Sequence, residues 1–180
     1  MEALSIDLLS DTVTQQNSKL LFPRRAGIEL EQIRLNTERF VRAKGYRPTV
    51  EISSFGNPAT AKARAAFSYD FMGITAYEIK DEKSYAEAGE AAVKTASSKS
   101  DIVVICSSDN DYRAHALEFV RTFRSLNTKK ILLLAGYPES IREELKDAGL
   151  DGFIHMRSDI LVTLLEIQSK ITQTSKPLDI

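Results

Sequence analysis

The chain has 180 residues, enough for one full domain with a flanking segment and a real hydrophobic core, and too few for a second full domain. Its 24 basic and 25 acidic residues leave a formal charge of −1, which excludes the electrostatic surplus that drives binding to nucleic acid or to a membrane surface. No run approaches the ~20 apolar residues of a membrane span, and the N-terminus lacks the order of a signal peptide. The protein is expected to be soluble; Cys106 is the single cysteine and sits in an apolar run, which predicts a buried structural thiol and suits a reducing cytosolic or organellar-matrix compartment, with a cytoplasmic location expected.

Residues 1–22 read as a tail or as the start of a longer chain, 23–46 as a connector with a helix, 47–173 as an α/β domain, and 174–180 as a second tail. In the connector, Pro23-Arg24-Arg25 breaks the chain. Ile28, Leu30, Ile33, Leu35, Phe40 and Val41 then recur at near-helical spacing up to Gly45, predicting a helix whose apolar stripe must be covered by the domain or by a partner. Thr49–Ser54 is a β-branched first strand, followed by the turn residues Phe55-Gly56-Asn57-Pro58 and an alanine-rich helix to Met72. Gly73–Ile79 reads as a second strand, and Ser84 with Glu87 as the capping box of a helix reaching Ser98. Asp101–Cys106 is the most continuous apolar run and marks a central strand buried on both faces. A helix from Asp111 to Leu126 follows, with Asp109 or Asp111 as its cap. Lys130–Gly136 is a fourth strand, Pro138 opens a helix that stops at Gly149, and Gly152–His155 is a short fifth strand. Ser158 is expected to cap a last helix with Ile160, Leu161, Leu164, Leu165, Gln168 and Ile171 on one face.

Five strands, each followed by a helix, predict a flavodoxin-like, doubly wound parallel sheet of order 2-1-3-4-5. A ligand crevice then falls at the carboxyl ends of the first and third strands, lined by Ser53, Ser54, Phe55, Gly56, Ser107 and Ser108. The loops there supply few ionisable groups. A receiver domain of this fold needs an acidic pair where Ser53 and Ser54 stand and a lysine after the fifth strand, where His155-Met156-Arg157 stands, so Asp109 lacks the metal-holding carboxylates of a phosphoacceptor. There is no G-x-G-x-x-G and no P-loop, which leaves a flavin or phosphate contact at Thr60 and the backbone of 55–59 as a minor alternative. His115 and His155 have no cysteine or carboxylate at ligand spacing, so no metal site is expected.

Several segments carry a family resemblance: Phe22-Pro23-Arg24-Arg25 and 29–38, Phe55-Gly56-Asn57 with Ala61-Lys62-Ala63-Arg64, 104–109, Leu134-Ala135-Gly136-Tyr137-Pro138, and 149–154. Together they resemble the C-terminal cobalamin-binding-like domain of the small, non-catalytic subunit of methylmalonyl-CoA mutase. Cobalamin-binding members carry D-x-H-x-x-G after the first strand, whose histidine ligates cobalt while the aspartate orients it. Here Pro58-Ala59-Thr60-Ala61-Lys62-Ala63 stands in that place, without the Asp, His or Gly. The serine motif is half kept in Ser107-Ser108 before Asp109, and the paired glycines after the fourth strand become Ala135-Gly136.

The resemblance implies a domain of an adenosylcobalamin-dependent isomerase that interconverts methylmalonyl-CoA and succinyl-CoA. It implies a structural role in a heterodimer with the large catalytic subunit, adenosylcobalamin on that partner and none here, and no catalytic residue in this domain. What remains is a vestigial crevice of Gly56, Thr60, Ser107, Ser108 and Gly136. No nucleic-acid or membrane partner is expected. The alternative is a receiver-like or small-ligand-binding regulatory module of the same fold.

Overall fold

The structure, a computed structural model, describes residues 27–174. The expected tail at 1–22, the Pro23–Arg25 break and residues 175–180 of the expected 174–180 tail lie outside the described residues, whereas Thr174 ends the last helix. The elements are α1 (Ile28–Lys44), β1 (Thr49–Phe55), α2 (Pro58–Gly73), β2 (Glu78–Ile79), β3 (Lys83–Tyr85), α3 (Ala88–Ala96) and β4 (Ile102–Cys106). After β4, α4 (Asp109–Asp111) passes into a π-helical turn (Tyr112–Ala116) and then α5 (Leu117–Leu126). β5 (Ile131–Ala135), a 3-10 turn (Glu139–Ile141), α6 (Arg142–Asp147), β6 (Gly152–Ile154) and α7 (Ile160–Thr174) complete the order.

All strand pairs are parallel, and the sheet runs β2-β1-β4-β5-β6 with β3 also on β1. This is the expected doubly wound fold, with the edge strand in two pieces. One face carries Val50, Ile52, Val104, Cys106 and Leu133 beneath α1, α2 and α7. The other carries Val103, Ile105, Leu132 and Leu134 against α3 and α5, where Phe55, Phe119 and Phe123 stack in series at 5.8 and 6.2 Å. β4 and β5 are buried along their whole length, as the unbroken apolar runs require.

Five local expectations are corrected. Gly73 ends α2 and does not begin a strand: Thr75 Oγ1 donates to the Met72 carbonyl at 2.6 Å and Ala76 turns at φ 58°, so pairing starts only at Glu78. Ser84 is paired with Ser54 in β3, which leaves it unable to cap; α3 starts at Ala88 after Glu87, without a side-chain cap. The open edge of β1 is better satisfied by backbone pairing than by one capping bond. Pro138 precedes its helix, with ψ 90°, and a 3-10 turn comes first. Asp159, one residue past Ser158, caps α7 by accepting from Val162 N at 3.0 Å, while Ser158 Oγ accepts from His155 N. Finally, the buried stripe of α7 is Leu164, Ile167 and Ile171, and Ile160 and Leu165 are exposed.

The helix α1 stops where Gly45, at φ 75°, returns its N–H to the Val41 carbonyl. Its stripe is covered by the same chain only in part: Ile33 is fully buried against the α7 side of the core, and Leu30 and Phe40 pack beside it, whereas Ile28 and Leu35 are exposed. Gln168 Nε2 donates to the Ile33 carbonyl at 2.8 Å, and Thr37 Oγ1 donates to the Thr75 carbonyl at 2.6 Å. Ile33→Ala is therefore expected to lower the free energy of unfolding by about 2–4 kcal/mol, read from the urea midpoint. A loss under about 0.5 kcal/mol would show that α1 is merely laid on the domain.

Glu51 lies in the middle of β1, wholly buried above the alanine face of α3. Lys83 Nζ lies 2.9 Å from its Oε1, and Ser100 Oγ donates to Oε2 at 3.0 Å. Burial raises its pKa, but hydrogen bonds from Ser98, Lys83 and Ser100 outweigh that and hold the carboxyl below its usual range.

Candidate binding crevice at the strand ends

The loops after β1 and β4 meet at the switch of winding direction. Asn57 caps α2, its Oδ1 accepting from Ala59 N at 3.1 Å and Thr60 N at 3.3 Å. Ser108, and neither Asp109 nor Asp111, caps the next helix by accepting from Asp111 N at 3.1 Å. The aspartate has a different task. Asp111 Oδ2 accepts from the Ser108 hydroxyl at 2.6 Å and from Asn57 N at 2.9 Å, and so ties the two loops together. The Asn57 N–H and the Ser108 hydroxyl hold this carboxyl below the usual range. Gly56 lies against it at φ 75°, where a Cβ would sit 2.5 Å from Asp111 Cγ. Ser107 Oγ donates to the Phe55 carbonyl at 2.6 Å. The N–H groups that could bind a phosphate at the start of α2 are thus taken by the chain's own side chains, which counts against the flavin alternative.

Arg64, one turn beyond Thr60 on α2, fills the space beneath β5. Its guanidinium donates to the Ser107 carbonyl at 2.5 Å, pairs with Asp109 Oδ1 at 2.6 Å, and stacks over the Tyr112 ring at 5.0 Å. Tyr112, carried by the π-helical turn, is fully buried; its hydroxyl accepts from Ser107 N at 2.9 Å and faces the carbonyls of Ile105 (3.0 Å) and Ala135 (2.8 Å). Gly136, at φ 137°, is enclosed by both: a Cβ there would meet Arg64 Cζ and the Tyr112 ring at 3.3 Å.

Outward of Arg64 lies a pocket of ≈ 490 Å³. Its apolar wall comes from Ala63, Phe67, Ala135 and Ile154, and its polar rim from Thr60, Arg64, Asp109, His155 and Arg157. Of the sequence-derived site residues, Thr60 and Gly136 line this pocket, whereas Gly56, Ser107 and Ser108 belong to the Asp111 junction beside it. Tyr112 carries no motif signal, and Tyr137, although within the 134–138 resemblance segment, was not singled out. Arg64 could have been found by its place four residues after Thr60 on one helix face.

The remaining candidates are structural. Cys106 is fully buried with Ser68 Oγ at 3.5 Å, and burial pushes its thiol up to about 12. His115 is exposed on the π-helical turn. Ser54 donates to Glu82, and Ser53 Oγ is buried without a hydrogen bond among the described residues. No three His, Cys, Asp or Glu side chains among the described residues are placed to hold a metal ion, and no described helix is long and apolar enough to cross a membrane.

A methylmalonyl-CoA mutase small subunit from Porphyromonas gingivalis is 32% identical over 146 residues, 81% of this chain. The chain is similar to a stretch of that mutase subunit. It spans 22% of the length of the subunit it matches. No protein-family model matches. Among known structures, a CheY-like receiver domain from Methanospirillum hungatei superposes with a TM-score of 0.50 at 14% identity, covering 72% of this chain and 97% of that one. A chemotaxis regulator from Vibrio cholerae superposes with a TM-score of 0.45 at 17% identity, covering 68% and 99%. The first shows the shared fold and nothing of activity.

Proposed function

We propose that this chain is the cobalamin-binding-like domain of a methylmalonyl-CoA mutase small subunit, and that it serves assembly with the large catalytic subunit of that isomerase while carrying no catalytic residue. The observation that carries the reading is the closure of the strand-end crevice by the chain's own groups, in a chain similar to a stretch of that subunit. Adenosylcobalamin belongs on the partner in this reading, because the residues here do not fit it. Pro58 and Thr60 stand where the orienting aspartate and the ligating histidine would be, and Arg64 fills the space beside Gly136. The receiver alternative loses ground because Asp109 is paired with Arg64 and the end of β1 offers two buried serines.

Sedimentation of the chain with the purified large subunit, followed at a corrinoid wavelength, tests the role. A joint boundary is expected, and separate boundaries at micromolar concentrations would overturn it. A second expectation isolates Arg64. Restoring the motif with Pro58→Asp, Thr60→His and Ala63→Gly leaves hydroxocobalamin binding weak, and adding Arg64→Ala tightens it by at least about tenfold, the scale of one blocking contact. Tight binding by the triple variant alone would show that Arg64 does not close the site.

A further inference from the structure

The pocket outside Arg64 is distinct in chemistry from the closed junction beneath it. Its accessible apolar surface comes from Phe67 and Ala63, with Ile154 buried behind them, and its volume of ≈ 490 Å³ suits a small molecule. Its rim is built almost entirely of donors. The turn after β6 sets them: Arg157 N donates to His155 Nδ1 at 3.2 Å, and Ser158 closes the turn on both backbone groups of His155. With Nδ1 accepting, the neutral imidazole carries its proton on Nε2, so His155 is a donor at the rim. Burial and the neighbouring Arg157 charge lower the pKa of His155 and favour that neutral form. The His155 ring is braced by Tyr137 at 4.8 Å. Asp109 is the single carboxylate on the rim and is already matched by Arg64, whereas the Arg157 guanidinium has no ion pair among the described residues.

We propose that this pocket binds a small amphipathic organic anion, with its apolar body on Phe67 and Ala63 and its carboxylate or phosphate group at Arg157, His155 and Thr60. The proposal holds whether or not the assembly reading does, since it needs no partner subunit.

The test is amide chemical-shift titration of the chain with benzoate, phenyl phosphate, neutral benzamide and inorganic phosphate. The expected result is saturable shifts at Gly136, Ala63 and Met156 with benzoate or phenyl phosphate, at roughly millimolar affinity for ligands of this size. Whichever of the two binds tighter names the headgroup. Benzamide and inorganic phosphate should each be at least about tenfold weaker, the loss expected when a charge-assisted bond or the apolar contact is missing. Arg157→Gln should weaken the aromatic anions about tenfold and leave benzamide unchanged. The variant's own spectrum reports that it is folded. Equal binding of benzamide, equal binding of inorganic phosphate, shifts elsewhere on the surface, or no shift with either aromatic anion would each overturn the proposal.

Discussion

Tyr112→Phe is expected to lower the free energy of unfolding by about 2–3 kcal/mol, although it removes a single oxygen. The hydroxyl lies in a fully buried ring and satisfies Ser107 N–H, while its own proton is shared between the Ile105 and Ala135 carbonyls. Phenylalanine fills nearly the same volume, so the loss is polar: a buried N–H without a partner and two carbonyls with fewer donors. Because the phenol joins the ends of β4 and β5, the loss should be local as well as global. Amide exchange at Ser107 and Gly136 should quicken more than exchange at Leu133, inside the sheet. A free energy of unfolding within about 0.5 kcal/mol of the parent would contradict the assignment of Tyr112 as the bridge.

The second large effect concerns Glu51. Lys83→Met with Ser100→Ala removes two of the partners of a wholly buried carboxylate and should cost about 2–4 kcal/mol at pH 7. The figure sits below that for a fully enclosed pair because half of the Lys83 side chain is exposed and solvent screens its charge. The pH dependence gives the sign. In the parent the folded pKa of Glu51 is depressed, so its contribution is full above the unfolded value of about 4.3 and is lost as pH falls through the folded pKa. In the double variant burial acts with less opposition and raises the folded pKa, so the deficit is full at neutral pH and shrinks as the carboxyl protonates. Urea midpoints at pH 7 and pH 4 should therefore converge between the two proteins. A gap of the same size at both values would mean that packing, and not charge, carries the loss.

Much of this architecture was legible before any coordinates. The unbroken runs at Ile102–Cys106 and Ile131–Ala135 read as strands of a parallel sheet, and Gly45 marks a helix end by its own chemistry, whereas Asn57 read only as a turn residue and is the cap of α2. The edge strand was misplaced because Glu78–Tyr85 has no apolar alternation; it is held by pairing with β1, a long-range fact that periodicity does not record. The helix caps at Ser108 and Asp159 were missed by one to three residues because Ser-Ser-Asp-Asn-Asp and Ser-Asp each offer several equivalent acceptors, and only the backbone decides among them. The crevice was legible as a place and by its glycines and serines. Its closure was not, because Arg64, Asp111 and Tyr112 meet only once three elements are folded against each other.

The central claim is that this doubly wound domain fills its strand-end crevice with its own side chains. Equilibrium dialysis of the chain against hydroxocobalamin and adenosylcobalamin tests it most directly. The expected result is equal corrinoid concentration on both sides of the membrane at micromolar protein. Stoichiometric retention with a visible spectral change would contradict it, and would mean that the ligand displaces Arg64 and is held without a histidine at position 60.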